Sequence, residues 1–458
     1  MKRAVFSIVA ALLSAGLFAG RPVARWDVVP YQQIDGTFRI GVVAFHEHGV
    51  QVEFSVNGKK AWTAKRASLN KRTGVVEHCF PLKTEKYADG PVTVTAVAVT
   101  DGEEKYELAP LTLYVDRGGK LGSKKSSYVD PVNGNDFAPG TKDQPVQSLK
   151  LGVQRAGDGG TVYLLPGKHD LKLTGGGLER TYWTTLKRAP GVGRDEVEIL
   201  GGRSGTDKLK FVDLNMTCEA GPGDFRVVAD GEGGKTSAWF DGCSFSNVTG
   251  RETGHTKPFG NGLRAYVTGG TTQNMTDGPN GELVRGHAIS NISGEAFGGG
   301  GFLAVDCTVD NVDAEGTETI EAFLYQGFEQ PPRWVSDAIL YNIRAMGCIG
   351  RCFSGRQLRD SAFVNIAFRG PGNDLCTTKF ALGLENVIFA RVRIEGQNWE
   401  WVKQVSMREN VKPKEVRLFD VKAGMFSGYG TTDGSEGLTV EKECDIISFP
   451  LKQRKERK

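Results

Sequence analysis

This chain lacks any marked excess of one charge. Its 57 Lys and Arg face 54 Asp and Glu, a formal net charge of +3, and without the basic start at Lys2 and Arg3 about +1 remains. Nucleic acid is therefore not an expected partner. Beyond its first twenty residues the chain has no apolar run long enough to span a bilayer. No Cys follows that run, which argues against a lipoprotein anchor. Zinc-knuckle spacing is missing as well. Three residues separate Cys348 from Cys352 where a knuckle has two, and no matching His/Cys pair lies nearby.

The start of the chain reads as a leader. Lys2 and Arg3 form a positive region, Ala4 to Phe18 an apolar one, and Ala19 and Gly20 offer small residues for cleavage. Residues 1–20 are thus expected to be a signal peptide, the chain to be exported, and no membrane span to remain. Export permits some of the eight cysteines to oxidise, but spacing does not assign pairs. Gly is abundant, 61 of 458 residues, with no collagen period, which suits a fold rich in turns.

Residues 21–117 read as a two-sheet sandwich. Gly49 to Lys59 alternates apolar and polar residues and turns at Asn57-Gly58, a hairpin signal. A second alternating strand runs from Pro91 to Val99 after the turn at Asp89-Gly90, and Leu111 to Asp116 ends the unit. The segments VQVEFSVNGK, YADGPVTVTAVAVT and LTLYVD resemble the immunoglobulin-like modules appended to secreted carbohydrate-active proteins. Residues 118–127 are Gly-rich and basic and read as a linker.

The stretch Ser127 to Asp170 is the most informative. Tyr128-Val129 runs into a turn of Asp, Asn, Gly and Pro. A helical segment follows at Val146 to Ala156, with Val146, Leu149, Val153 and Ala156 on one face. A reversal at Gly157 to Gly160 then leads into the apolar strand Thr161 to Leu165. This pattern resembles the capping segment of secreted pectate-lyase-like proteins. That resemblance implies an all-β chain, a right-handed parallel β-helix (solenoid) preceded by the Ig-like β-sandwich. The solenoid is expected over 128–450, with 451–458 as a basic tail. Asp130, Asn133, Asn135 and Asp136 are expected to fix the cap through Asx turns rather than to hold an ion.

Within the solenoid one strand pattern recurs: inward residue, any residue, large apolar, polar, Asn, apolar. It stands at Cys243–Val248, His287–Ile292, Cys307–Val312 and Ser361–Ile366, with degenerate copies at Leu214–Cys218 and Val387–Val392. The aligned Asn247, Asn291, Asn311 and Asn365 are predicted to stack as a ladder. Strand alternation turns Cys243, His287, Cys307 and Ser361 inward, with His287 as a hydrogen-bonded core imidazole. Asp306, Asp310, Asp360 and Arg344 then face outward and are expected to converge on neighbouring rungs.

In pectate-lyase-like enzymes clustered carboxylates bind calcium, which neutralises a uronate, while an Arg or Lys takes the C5 proton. The resemblance implies Ca2+ held by Asp306, Asp310 and Glu315, in an acidic stretch that continues through Asp313, Glu318 and Glu321. Arg344 or Arg356 would be the base, and Trp399 and Trp401, sharing one strand face, would stack on sugar. Departures from the family are plain. The Asn-x-Asp, Asp-Asp and Gly-His-Gly motifs of polygalacturonase-type hydrolases are missing, and Arg285-Gly286-His287-Ala288 only half-matches the last. The lyase vWiDH-type signature is missing too. The expectation is an exported, monomeric protein that binds or cleaves polysaccharide, and if an enzyme, a calcium-assisted polysaccharide lyase or else a glycoside hydrolase. The rival is a non-catalytic envelope β-helix protein that binds glycans or proteins, its outer charges forming surface ion pairs worth little each.

Overall fold

The computed structural model describes residues 20–441, except 48, 174–178, 219–223, 231–235, 249–254, 260–262, 298–300, 313–320, 324–334, 350, 371–376, 397, 403–413, 422–425 and 429–437. Residues 1–19, within the expected leader, and the expected tail 451–458 therefore lie outside it. Among the described residues no helix is long and apolar enough to cross a membrane.

The N-terminal unit has two sheets, one built around Thr37–Phe45 and Val76–Lys83, the other around Gln51–Val56, Gly90–Val99 and Leu111–Val115. The expected hairpin pairs Val56 with Lys59. Asn57 and Gly58 both take positive φ (50° and 77°), as a tight type I′ turn requires. Alternation places Val52, Phe54 and Val56 inside against Val92, Val94 and Ala96, in a core that belongs to this unit alone.

Residues from Ser126 onward form a parallel β-helix. The cap follows its sequence code. Ser148 caps the helix Leu149–Ala156, which is shorter than the predicted segment because Val146 bridges to Val129. Asp130 Oδ1 accepts from the amides of Val132 and Asn133 at 2.9 Å each, and Asp136 Oδ1 from those of Gln147 (2.9 Å) and Ser148 (2.8 Å). The Asp130 contacts, with Asn135 Oδ1 accepting from the amide of Phe137 at 3.0 Å, are the expected Asx turns; Asp136 instead ties the turn to the start of the helix eleven and twelve residues on.

Each rung contributes strands to stacked parallel sheets. In the first sheet Val162, Leu186, Phe211, Phe240, Val267, Val284, Ala304, Leu340, Phe363, Phe389 and Leu418 stand in register. All are buried. Phe211 stacks on Phe240 at 5.2 Å and Phe363 on Phe389 at 4.9 Å, close to the rung spacing. Burying such a ring stabilises by roughly 1.5–3 kcal/mol, and only the next rung can supply the burial. The second sheet follows a corner and runs through Asn215–Cys218, Ser244–Asn247, Ala288–Ile292 and Thr308–Val312 to the ends of three long strands.

The sandwich docks on the outer face of the first sheet. Val23, Val43 and Phe45 pack with Leu303, Val305, Ile339, Tyr341, Val364, Ala390 and Phe419 in one buried cluster. Polar clamps surround it. Asp27, fully buried, pairs with Arg285, and Trp183 donates to the carbonyl of Pro30 at 2.7 Å. Burial pushes the Asp27 carboxyl up, against the pull of Arg285 and Arg72. Arg21 grips Asp360, whose carboxyl falls below its usual range. Burial alone would raise it, but bonds from Arg21 and Asn386 prevail.

Two expectations need correction. Asn365 does not stand above Asn311. The ladder is two ladders: Asn311 donates to Asn291 at 2.7 Å, while Asn365 donates to Asn342 at 2.6 Å and Asn342 to Asp306 at 2.8 Å. Ser361 likewise belongs to the first sheet, whereas Cys243, His287 and Cys307 begin strands of the second. The cause is that both corners use the same local code, an apolar strand followed by a residue with positive φ. Asp360 also fails to join Asp306 and Asp310. It lies at the corner before the first sheet, beside Asn386, and is buried.

The six described cysteines, 79, 218, 243, 307, 348 and 352, are buried, and no disulfide joins any two of them. Cys376 lies outside the described residues, as does Cys444.

Candidate functional site

The corner between the first and second sheets turns one residue per rung into the left-handed region. In register these are Asp213, Gly242, Gly269, Gly286, Asp306, Asn342, Asn365, Arg391 and Asp420, with φ from 49° to 72°. Gly, Asn and Asp adopt that conformation at little cost. Arg391 does not, and its φ of 52° carries roughly 1–2 kcal/mol of strain.

Arg391 opens onto a groove of about 330 Å3 lined by Asn342, Ile343, Arg344, Asn365, Ile366, Ala367, Arg391, Arg393 and Asp420. Strand alternation builds it: Ile343 and Ile366 point inward and are buried, while Arg344 and Ala367 point out and are exposed. Asn342 and Asn365, tied to each other, form the corner wall. Arg393 Nη2 contacts Asp420 Oδ2 at 2.5 Å. Arg344 and Arg391 have no side-chain hydrogen bond among the described residues. Three guanidiniums thus face one carboxylate. Each is a fixed cation with a planar fork of donors, matched to carboxylate geometry.

The predicted site residues fare unequally. Arg344 lies in the groove. Asp306 stands just below it, bonded to Asn342. Asp310 is exposed on the outer face of the second sheet, one residue pair along from Thr308, which registers with Arg344. Asp306 lies at the corner, with a φ of 53°, and Asp310 within the strand Thr308–Val312, so the turn of the corner separates the two expected calcium ligands. Among the described residues no group of three His, Cys, Asp or Glu side chains gathers as a metal site. Glu315 lies outside the described residues. Arg356 falls in the strand Arg351–Arg369 and Trp399 and Trp401 in Asn398–Val402, but their side chains lie outside the described set.

His287 is a core residue as expected. Its ring nitrogens bond Thr272 Oγ1 at 2.8 Å and the Gly269 carbonyl at 2.7 Å, and burial pushes its pKa down to about 4.

Sequence reasoning missed Arg391 and Arg393. The signal was available, since Arg391 occupies the Asn position of the degenerate copy Val387–Val392.

No protein-family model matches the chain, and no curated protein does. Solved structures do resemble it. A family 28 exopolygalacturonase from Yersinia enterocolitica aligns over 93% of this chain and 100% of its own, at 10% identity and a TM-score of 0.36. A rhamnogalacturonan lyase aligns over 69% of this chain and 84% of its own, at 13% identity and a TM-score of 0.35. The catalytic domain of a family 87 α-1,3-glucanase in complex with nigerose aligns over 93% of this chain and 98% of its own, at 9% identity and a TM-score of 0.29.

Proposed function

We propose that this is an exported, polysaccharide-active β-helix protein that grips uronic-acid-containing glycan in the corner groove. The observation that carries the reading is the groove's lining, three guanidiniums against one carboxylate in about 330 Å3. A uronate carboxylate is the group in a polysaccharide that such a lining selects, through bidentate, charge-assisted bonds. The Asn342 and Asn365 amides supply further bonding for sugar hydroxyls. In this reading guanidinium neutralises the uronate, and no step runs through calcium. The immunoglobulin-like character of the sandwich remains part of the proposal, as an appended module that covers one flank of the solenoid.

The lyase reading adds chemistry to the same groove. A base removes the C5 proton, the C4–O bond breaks, a C4=C5 double bond forms, and the glycosidic oxygen leaves with a proton. Arg344, exposed and unpaired, is the described candidate for the base, a role it could fill only as the neutral guanidine, which would leave Arg391 and Arg393 as the cations that hold the uronate. The non-catalytic reading keeps the grip and drops the base.

Two measurements on the purified chain separate these. Titration with polygalacturonate, alginate and hyaluronan is expected to show binding that weakens with salt, a salt dependence that neutral glucan does not share. No binding to any uronate polymer would overturn the proposal. Ultraviolet absorbance of the unsaturated product, followed with each polymer, decides between lyase and binder: a rising trace assigns cleavage, a flat one the non-catalytic form.

A further inference from the structure

We propose that the cleft between the sandwich and the solenoid is a second glycan site, and that its ligand is a neutral oligosaccharide. This rests on the glycan-active reading above and extends it to a different surface.

The cleft encloses about 410 Å3, within the range of small-ligand pockets. Trp26 and Tyr106 come from the sandwich, Tyr31 from the segment leading out of its first strand, and Tyr266 from the first sheet of the solenoid. All four are half-buried and line the cleft, with Lys208 over one face of Tyr31 at 4.8 Å and Arg21 over one face of Tyr106 at 5.3 Å. Sugar rings present apolar C–H faces, and aromatic walls are their natural counterpart. Tyr31 holds a positive φ of 61°, a strained backbone for an aromatic residue.

The polar groups are balanced. Arg25 Nη2 meets Glu282 Oε2 at 3.0 Å, and Tyr106 donates to Asp337 Oδ1 at 2.7 Å. Arg264 is exposed and has no side-chain partner among the described residues. Two cations and two carboxylates leave no net charge, and each retains hydrogen-bonding capacity beyond these pairs. Such a lining satisfies hydroxyls and gives no preference to a carboxylate. The corner groove, with its surplus of guanidiniums, has the opposite character.

The test is calorimetric titration of the full chain with cellotetraose, maltotetraose and mannotetraose, and with tetragalacturonate as the acidic probe. At least one neutral tetrasaccharide is expected to bind more tightly than about 1 mM, with affinity unmoved by salt. Arg264→Ala and Glu282→Gln should each weaken it at least tenfold (~1.4 kcal/mol), while Arg391→Asn in the corner groove leaves it unchanged. Arg264 is exposed, so its substitution probes the site without disturbing the docking of the two units. No neutral binding, neutral binding that ignores both cleft variants, or tetragalacturonate displacing the neutral ligand would overturn the proposal. Tetragalacturonate bound while every neutral probe is silent removes this inference alone. Silence from all the probes removes the corner-groove reading with it.

Discussion

The first and second sheets of the solenoid share the same rungs, the same inward apolar column and the same alternation, yet their outer faces are opposites. On the later rungs of the first sheet the outward positions include Leu303, Val305, Ile339, Tyr341, Val364 and Ala390, each no more than 2% exposed. On the second they are Thr308, Asp310, Arg344, Ala367 and Arg369, all exposed. The backbone does not distinguish them. What lies against them does: the sandwich covers one face, and solvent or ligand meets the other. An outward face of a β-helix thus reports its partner, and the charged face is where a soluble polymer can be met.

The sharpest way to break this contrast is to place one carboxylate on each face. Val305→Asp buries an unpaired charge at the docked face and is expected to cost more than about 4 kcal/mol. Thr308→Asp, three residues on, should stay within about 0.5 kcal/mol. Thermal and denaturant unfolding of the pair measures the difference; similar costs would mean that the sandwich does not seal the first sheet.

The docked face also holds the buried pair Asp27–Arg285. Arg285→Ala strands the carboxylate and should cost about 3–5 kcal/mol, with part recovered by adding Asp27→Asn. A null result in denaturant unfolding would show that water reaches Asp27.

Both units are dry inside, which acid should reveal. His78 in the sandwich and His287 in the solenoid are held by burial at pKa values of about 4. The unfolded chain takes these protons near pH 6.5 while the folded one refuses them, so stability is full above that pH and falls toward pH 4. The loss is at most roughly 3 kcal/mol per histidine. His287→Leu should flatten the slope of stability against pH in that window, even if the variant is less stable throughout. An unchanged slope would place the acid sensitivity elsewhere.

The corner ladders give the smallest effect. Asn311→Ala and Asn365→Ala each lose a side-chain bond and force Ala to a positive φ, for about 1–2 kcal/mol, while the Gly variants should lose less. Equal losses for Ala and Gly, read from unfolding midpoints, would leave the backbone with no part in choosing Asn.

Much of this was legible in the sequence. The turns of the cap, the sandwich hairpin and the inward His287 followed from local codes, because turn chemistry and period-two alternation act within a few residues. The parallel coil followed from the resemblance of the Ser127–Asp170 segment together with the recurring strand pattern. What failed was the assignment of corners. Asn311 and Asn365 obey one rule at different corners, and only the rung register separates them. That error also placed Asp360 with Asp306 and Asp310. The groove was half legible: Arg344 followed from alternation. Arg391 and Arg393 did not, since a guanidinium at an Asn position looks like decay of the repeat until the register places it beside Arg344.

The most direct measurement concerns Arg391. Arg391→Asn restores the residue type its corner prefers and removes a cation from the groove. The account predicts a chain about 0.5–1 kcal/mol more stable that binds polygalacturonate at least tenfold more weakly and with a shallower salt dependence. Unchanged affinity for the uronate polymer would contradict it.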